Sequence, residues 1–89
     1  MIKLVHAKWV AGSKLALAFS DCTGGTYDFA DLLAKDTVLT RPLRKEDAFK
    51  GFFLELGALC WPNGLEFSGA SLHQDLKQQG KLRQVVAMA

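Results

Sequence analysis

Two cysteines, Cys22 and Cys60, and two histidines, His6 and His73, are the residues in this sequence best suited to metal or nucleophilic chemistry. By type they make up a zinc donor set. No Cys-x-x-Cys or His-x3-His pair builds half a site locally, so all four ligands would have to converge from separate elements. A small buried thiol and an exposed imidazole are the commoner use of such residues, and no metal is expected. As a nucleophile, Cys22 in its glycine-flanked turn would need His6 or His73 as base, because a thiol needs a neighbouring imidazole to become a thiolate at neutral pH. No orienting third group or oxyanion loop accompanies it. Acid/base work needs two carboxylates whose environments separate their pKa values, and Asp21, Asp28, Asp31, Glu55 and Glu66 qualify by number alone. Asp28 and Asp31 are explained by a helix start and Asp21 by a turn. Gly12-Ser13-Lys14 lacks the upstream glycine and the following Ser or Thr of a phosphate loop. Neither a catalytic residue nor a cofactor is therefore expected.

The most constrained stretch is Leu59-Cys60-Trp61-Pro62-Asn63-Gly64-Leu65-Glu66-Phe67. Pro62 fixes one dihedral and pushes Trp61 into an extended conformation, and Asn63-Gly64 supplies residues suited to positive φ. The chain must arrive extended, turn sharply and leave. Trp61 beside this rigid bend is a candidate binding anchor, weighed against an indole packed in the core with its N–H bonded nearby, which is the favoured reading.

The elements that position these residues follow from hydrophobic period and turn chemistry. Residues 2–10 alternate as a strand with Val5, Ala7 and Trp9 on one face, and residues 14–20 follow with Leu15, Leu17 and Phe19 pointing together, which predicts a β-hairpin about Ala11-Gly12-Ser13. Residues 21–25 make the next reversal, and Thr26 and Tyr27 lie in a brief third strand. A helix is predicted over 28–35, with Asp28 as N-cap and Phe29, Leu32 and Leu33 facing the core. Residues 36–50 are a connection, interrupted by Arg41-Pro42 and holding one helical turn at 44–49 that delivers Phe49 to the core, with Gly51 as its stop. Residues 52–56 form a strand with Phe52, Leu54 and Leu56 on one face, Gly57-Ala58 turns it, and 59–61 run back. A short strand over 65–67 precedes a second helix, for which Ser71 and Gln74 have capping-box spacing and Gly80 is the stop.

With 89 residues, 49% hydrophobic and 22% charged, the chain makes one ordinary globular domain. Its net charge of +2, from 11 basic and 9 acidic side chains, is far below that of a dedicated nucleic-acid binder. Lys3, His6 and Lys8 interrupt any export signal, and the longest apolar run, 15–19, is too short to span a bilayer, so a cytoplasmic protein with free thiols and no membrane contact is expected. The expected fold class is α+β: a single domain over 1–80, mainly antiparallel sheet from successive hairpins with two short helices. Residues 81–89 form an extension that serves as an added strand, a partner-binding arm or a tail.

Phe19-Ser20-Asp21-Cys22-Thr23-Gly24-Gly25-Thr26-Tyr27-Asp28 before a Leu-rich helix, then Phe49 before a strand, then Trp61-Pro62-Asn63-Gly64 and Leu65, resembles a bacterial family, domain-of-unknown-function 2442. The likeness runs from about Val5 to Leu76, and its specificity lies in the order and separation of the motifs. The chain departs from the family pattern at Asp21-Cys22, where Asp-Gly is common, and at Leu65-Glu66, where Asp commonly follows the turn. The resemblance implies a small α+β domain with an antiparallel sheet and two helices, and a regulatory or antitoxin-like binding role. In the family a helix-turn-helix segment can follow, for which this sequence leaves no room.

The expected function is a non-enzymatic binding module that contacts a protein partner or a second copy of itself, including as a homodimer. The candidate contact residues are Trp61, Pro62 and Asn63 at the bend, Arg41, Arg44 and Lys45 in the loop, and Leu82, Val85 and Val86 in the tail. Two alternatives stand beside it. One is nucleic-acid binding through Arg41, Arg44, Lys45, Lys50, Lys77, Lys81 and Arg83, and the other is a small-molecule binder or thiol enzyme at Cys22.

Overall fold

The computed structural model of the chain describes residues 1–85. Its first three strands, β1 (Leu4–Ala11), β2 (Lys14–Phe19) and β3 (Thr23–Asp28), form two antiparallel hairpins in succession. Alternation in β2 buries Leu15, Leu17 and Phe19 on one side, as their spacing predicts. In β1 the expected faces are corrected by two bulges: Leu4 pairs with Phe19 but His6 with Ala18, and Trp9 pairs with Leu15 but Ala11 with Lys14. Each bulge inserts one residue and resets the alternation, so Leu4 is buried with the Ala7 and Trp9 face while Val5 and Val10 are turned out to solvent.

After β3 come α1 (Ala30–Leu33), a 3-10 helix at Arg41–Arg44 and α2 (Glu46–Phe49). Asp28 is the last residue of β3 rather than part of the helix, yet its Oδ1 accepts the Ala30 amide at 2.9 Å and the Ser13 hydroxyl at 2.7 Å. The helix starts late because the Phe29 amide still donates to the Ser13 carbonyl, at 2.8 Å, tying the chain to the first hairpin. A second sheet follows, β4 (Phe53–Glu55), β5 (Ala58–Cys60) and β6 (Glu66–Ser68), again antiparallel and in chain order. The β4–β5 turn falls at Leu56-Gly57, one residue earlier than expected, which removes Leu56 from the inward face of Phe52 and Leu54.

Helix α3 (Gly69–Gln78) begins three residues before the expected capping box. Its N-cap is Ser68, whose hydroxyl accepts the Ser71 amide at 3.1 Å. At its other end the Lys81 amide donates to the Leu76 carbonyl and the Gly80 amide to that of Lys77, the paired bonds of a Schellman stop. Strand β7 (Arg83–Gln84) then adds antiparallel to β3, completing a four-stranded sheet in the order β1-β2-β3-β7.

The two sheets and α3 enclose one core of Leu15, Leu17, Phe19, Phe29, Phe49, Leu59, Trp61, Leu72 and Leu76, with Leu4 and Leu43. The sheets join where the Leu4 amide donates to the Gly57 carbonyl at 2.9 Å. Gly69 sits at that junction, and a Cβ there would lie 2.5 Å from the Leu4 nitrogen and 2.8 Å from the Gly57 oxygen, so only glycine lets α3 start there. The radius of gyration, 12.5 Å, is close to the ~12 Å that compact packing gives a chain of this length. Among the described residues no helix is long and apolar enough to cross a membrane.

Candidate interaction surface

Three of the flagged residues come together at the Trp61 bend. The Gly64 amide donates to the Trp61 carbonyl at 3.0 Å, which places Pro62 and Asn63 at the centre of the turn. Gly64 alone takes a positive φ there, +97°, so Asn63 is freed for another task. Its Oδ1 accepts the Leu65 amide at 3.2 Å, and its Nδ2 donates to the Leu39 carbonyl, 24 residues away, at 2.8 Å. That bond pins the bend to the loop holding the other flagged group.

The loop itself is stiffened from within. Thr40 is buried; its hydroxyl donates to the Lys35 carbonyl at 2.6 Å and accepts from the Thr37 hydroxyl at 2.7 Å, while the Thr40 amide donates to the Thr37 oxygen. Pro42 enters the first turn of the 3-10 helix, where its missing N–H costs nothing, and Leu43 is buried beneath it. The basic residues here have structural partners. Arg44 donates to the carbonyls of Leu33, Ala34 and Lys35 at 2.8, 3.3 and 3.1 Å, closing the end of α1, and Arg41 pairs with Asp36 at 2.6 Å. Lys45 is exposed and enters no ion pair among the described residues.

Trp61 is corrected as a contact anchor and takes the favoured reading, an indole in the core: it is 2% exposed. Its indole stacks on Phe49 with ring centroids 5.8 Å apart, meets Phe29 and Phe67 edge to face, and donates Nε1–H to the Phe49 carbonyl at 2.8 Å. Its role at the surface is to floor an open depression of about 320 Å³, walled by Pro42, Leu43 and Ala48 on one side and by Pro62 and Asn63 on the other. Asp47 and Gly51 complete the lining, in which Asp47 and Asn63 are the polar residues. Val38 and Leu39, in the segment that Asn63 bonds, are exposed apolar side chains, 82% and 40% accessible.

The third flagged group lies elsewhere. Leu82 packs against the core and the Val85 amide donates to the Cys22 carbonyl at 2.8 Å, so this segment serves the sheet as an added strand; Val86 lies outside the described residues. A larger open cavity of about 630 Å³ runs beside it, between Lys14 and Thr26 of the sheet and Lys81 and Arg83. The cations named for nucleic acid are thus split between separate surfaces, and Lys50 Nζ lies over the Trp9 ring at 4.1 Å.

The thiol chemistry has partners of a different kind from those sought. His73 Nε2 is 2.9 Å from Asp21 Oδ2 and its ring stands edge-on to Phe19, so it orients toward the carboxylate of the turn. No hydrogen bond joins Cys22 to a histidine among the described residues. Asp21 Oδ1 also accepts the Thr23 hydroxyl and amide, and these bonds with His73 hold its carboxyl below the usual carboxylate range. Cys60 is buried; burial, then the nearby carboxylates of Glu66 and Glu55, push its thiol up and away from the thiolate. Among the described residues no three His, Cys, Asp or Glu side chains converge as metal ligands.

Comparison with protein-family models, with curated proteins and with solved structures finds no match for this chain. Trp61, Pro62 and Asn63, flagged from sequence, line the depression, whereas the flagged loop cations Arg41, Arg44 and Lys45 do not; their neighbours Pro42 and Leu43 form the other wall. The signal missed was Asn63, whose amide serves the distant Leu39 carbonyl once Gly64 has taken the left-handed position.

Proposed function

We propose that this chain is a non-enzymatic binding module that engages a protein partner, or another copy of itself, through the depression between Pro42 and Pro62. The observation that carries the reading is the convergence of the 41–45 loop and the 61–63 bend around one concave apolar surface, pinned by the Asn63 to Leu39 bond. Exposed apolar surface rimmed by polar residues is the usual mark of a protein interaction site. The resemblance to domain-of-unknown-function 2442, and an antitoxin-like regulatory role with it, belongs to the same reading. Direct nucleic-acid binding is less favoured, since Arg41 and Arg44 are held by Asp36 and by helix carbonyls.

The test is capture with the tagged chain from its own cells, with and without nuclease, beside an Asp47→Arg variant that lays a long charged side chain across the depression. A stoichiometric protein that survives nuclease and is lost with Asp47→Arg supports the reading. Capture that needs nucleic acid and weakens steeply with salt overturns it.

A further inference from the structure

The β4–β5 hairpin carries a second exposed apolar feature, at the end opposite the depression. Its turn residues Leu56 and Gly57 have φ of +51° and +81°, the two positive values of a type I′ turn, where Asn, Asp or Gly is favoured at both positions. Leu56 is also 94% exposed. It therefore incurs two costs at once, a left-handed backbone that a bulky side chain disfavours and an isobutyl group standing in water. An asparagine would relieve both. The tip is held firmly, because the Gly57 carbonyl accepts the Leu4 amide and the Lys3 stem lies against Gly57. A strained, solvent-facing apolar side chain on a clamped turn is the geometry of an anchor offered to a pocket.

We propose that Leu56 of one copy seats in the depression of a second copy. This rests on the depression being a protein-docking site. Residues 58–60 separate the tip from Trp61, about 10 Å of strand, so anchor and depression lie at opposite ends of one rigid hairpin. The free charges match as well. Lys3 and Glu55 flank the tip and Asp47 lines the depression, and none of the three enters an ion pair among the described residues. Docking sets the Lys3 ammonium of one copy against the Asp47 carboxylate of the next. The contact is heterologous: each copy offers its tip to one neighbour and its depression to another, which yields a ring or an open chain of copies.

The experiment is sedimentation of the purified chain at rising concentration, with Leu56→Asn and Asp47→Arg, alone and mixed. The wild type is expected to grow beyond the monomer, and each variant to stay monomeric. The equimolar mixture is expected to form a dimer and stop there, because it holds one intact tip and one intact depression. Leu56→Asn is also expected to melt at or above the wild-type temperature, which separates lost docking from lost folding. A wild type that stays monomeric, a mixture that does not pair, or a lowered melting temperature for Leu56→Asn overturns the proposal. If Asp47→Arg loses a captured protein partner while the wild type is monomeric, the binding-module reading stands and this inference alone falls.

Discussion

Cys22 holds a left-handed backbone, φ +67°, at a position where glycine would be free of strain. Its amide closes the turn onto the Phe19 carbonyl at 3.1 Å and its carbonyl receives Val85, so the backbone of this residue is what the fold uses. Cys22→Gly is expected to raise stability by about 0.5–1 kcal/mol, read by urea denaturation, since relief of strain outweighs the added freedom of the unfolded chain. Beside it, the Asp21 carboxyl is held low first by the Thr23 hydroxyl and then by His73 and the Thr23 amide, with burial acting the other way. A group depressed on folding stabilises the native state fully above its unfolded pKa, and that contribution is lost as pH falls through the folded value. Asp21→Asn keeps an acceptor for Thr23 but removes the charge, so its stability is expected to fall less than that of the wild type from about pH 4 downward, as acid titration monitored by circular dichroism will show.

At the scale of elements, α3 is fastened at three points, and each accounts for one position in the sequence. Ser68 caps its start, and Ser68→Ala is expected to cost about 1 kcal/mol in thermal or chemical unfolding. Gly69 lets it approach the junction of the sheets, so Gly69→Ala forces backbone apart and is expected to cost about 1–3 kcal/mol, although alanine is the better helix former. The third point is the Tyr27 hydroxyl, which donates to Asp75 Oδ2 at 2.6 Å across from β3, its own ionisation pushed well up by burial and by that carboxylate. The 69 position separates packing from propensity: a stabilised Gly69→Ala would mean that the junction is looser than these distances.

For the whole molecule, residues 82–85 decide how the first sheet ends. Leu82 lies on the core and Arg83–Gln84 pair with β3, so truncation after Lys81 removes an integral strand instead of a free arm. Loss of half-buried Leu82 alone is expected to cost about 1–2 kcal/mol, and the truncated chain is expected to melt lower, by calorimetry. In a domain of this size that is a large share of the roughly 5–15 kcal/mol available.

What the sequence determined by itself was local: the alternation of Leu15, Leu17 and Phe19, the bend at Trp61 to Gly64, the Gly80 stop and the α+β class follow from period and turn chemistry within a few residues of each position. It also singled out Pro62, Asn63 and the Arg41 loop, but as separate patches. Tertiary structure decided the rest. Two bulges reassigned the faces of β1, because register depends on the partner strand and not on the strand's own pattern. Trp61 is core, as favoured from sequence, with Phe49 and Phe67 packed on its ring, and of the three uses open to the tail the strand was chosen because β3 had an open edge. The bond from Asn63 to Leu39 ties the bend to the segment before the Pro42 wall across 24 residues, a contact that no local pattern encodes.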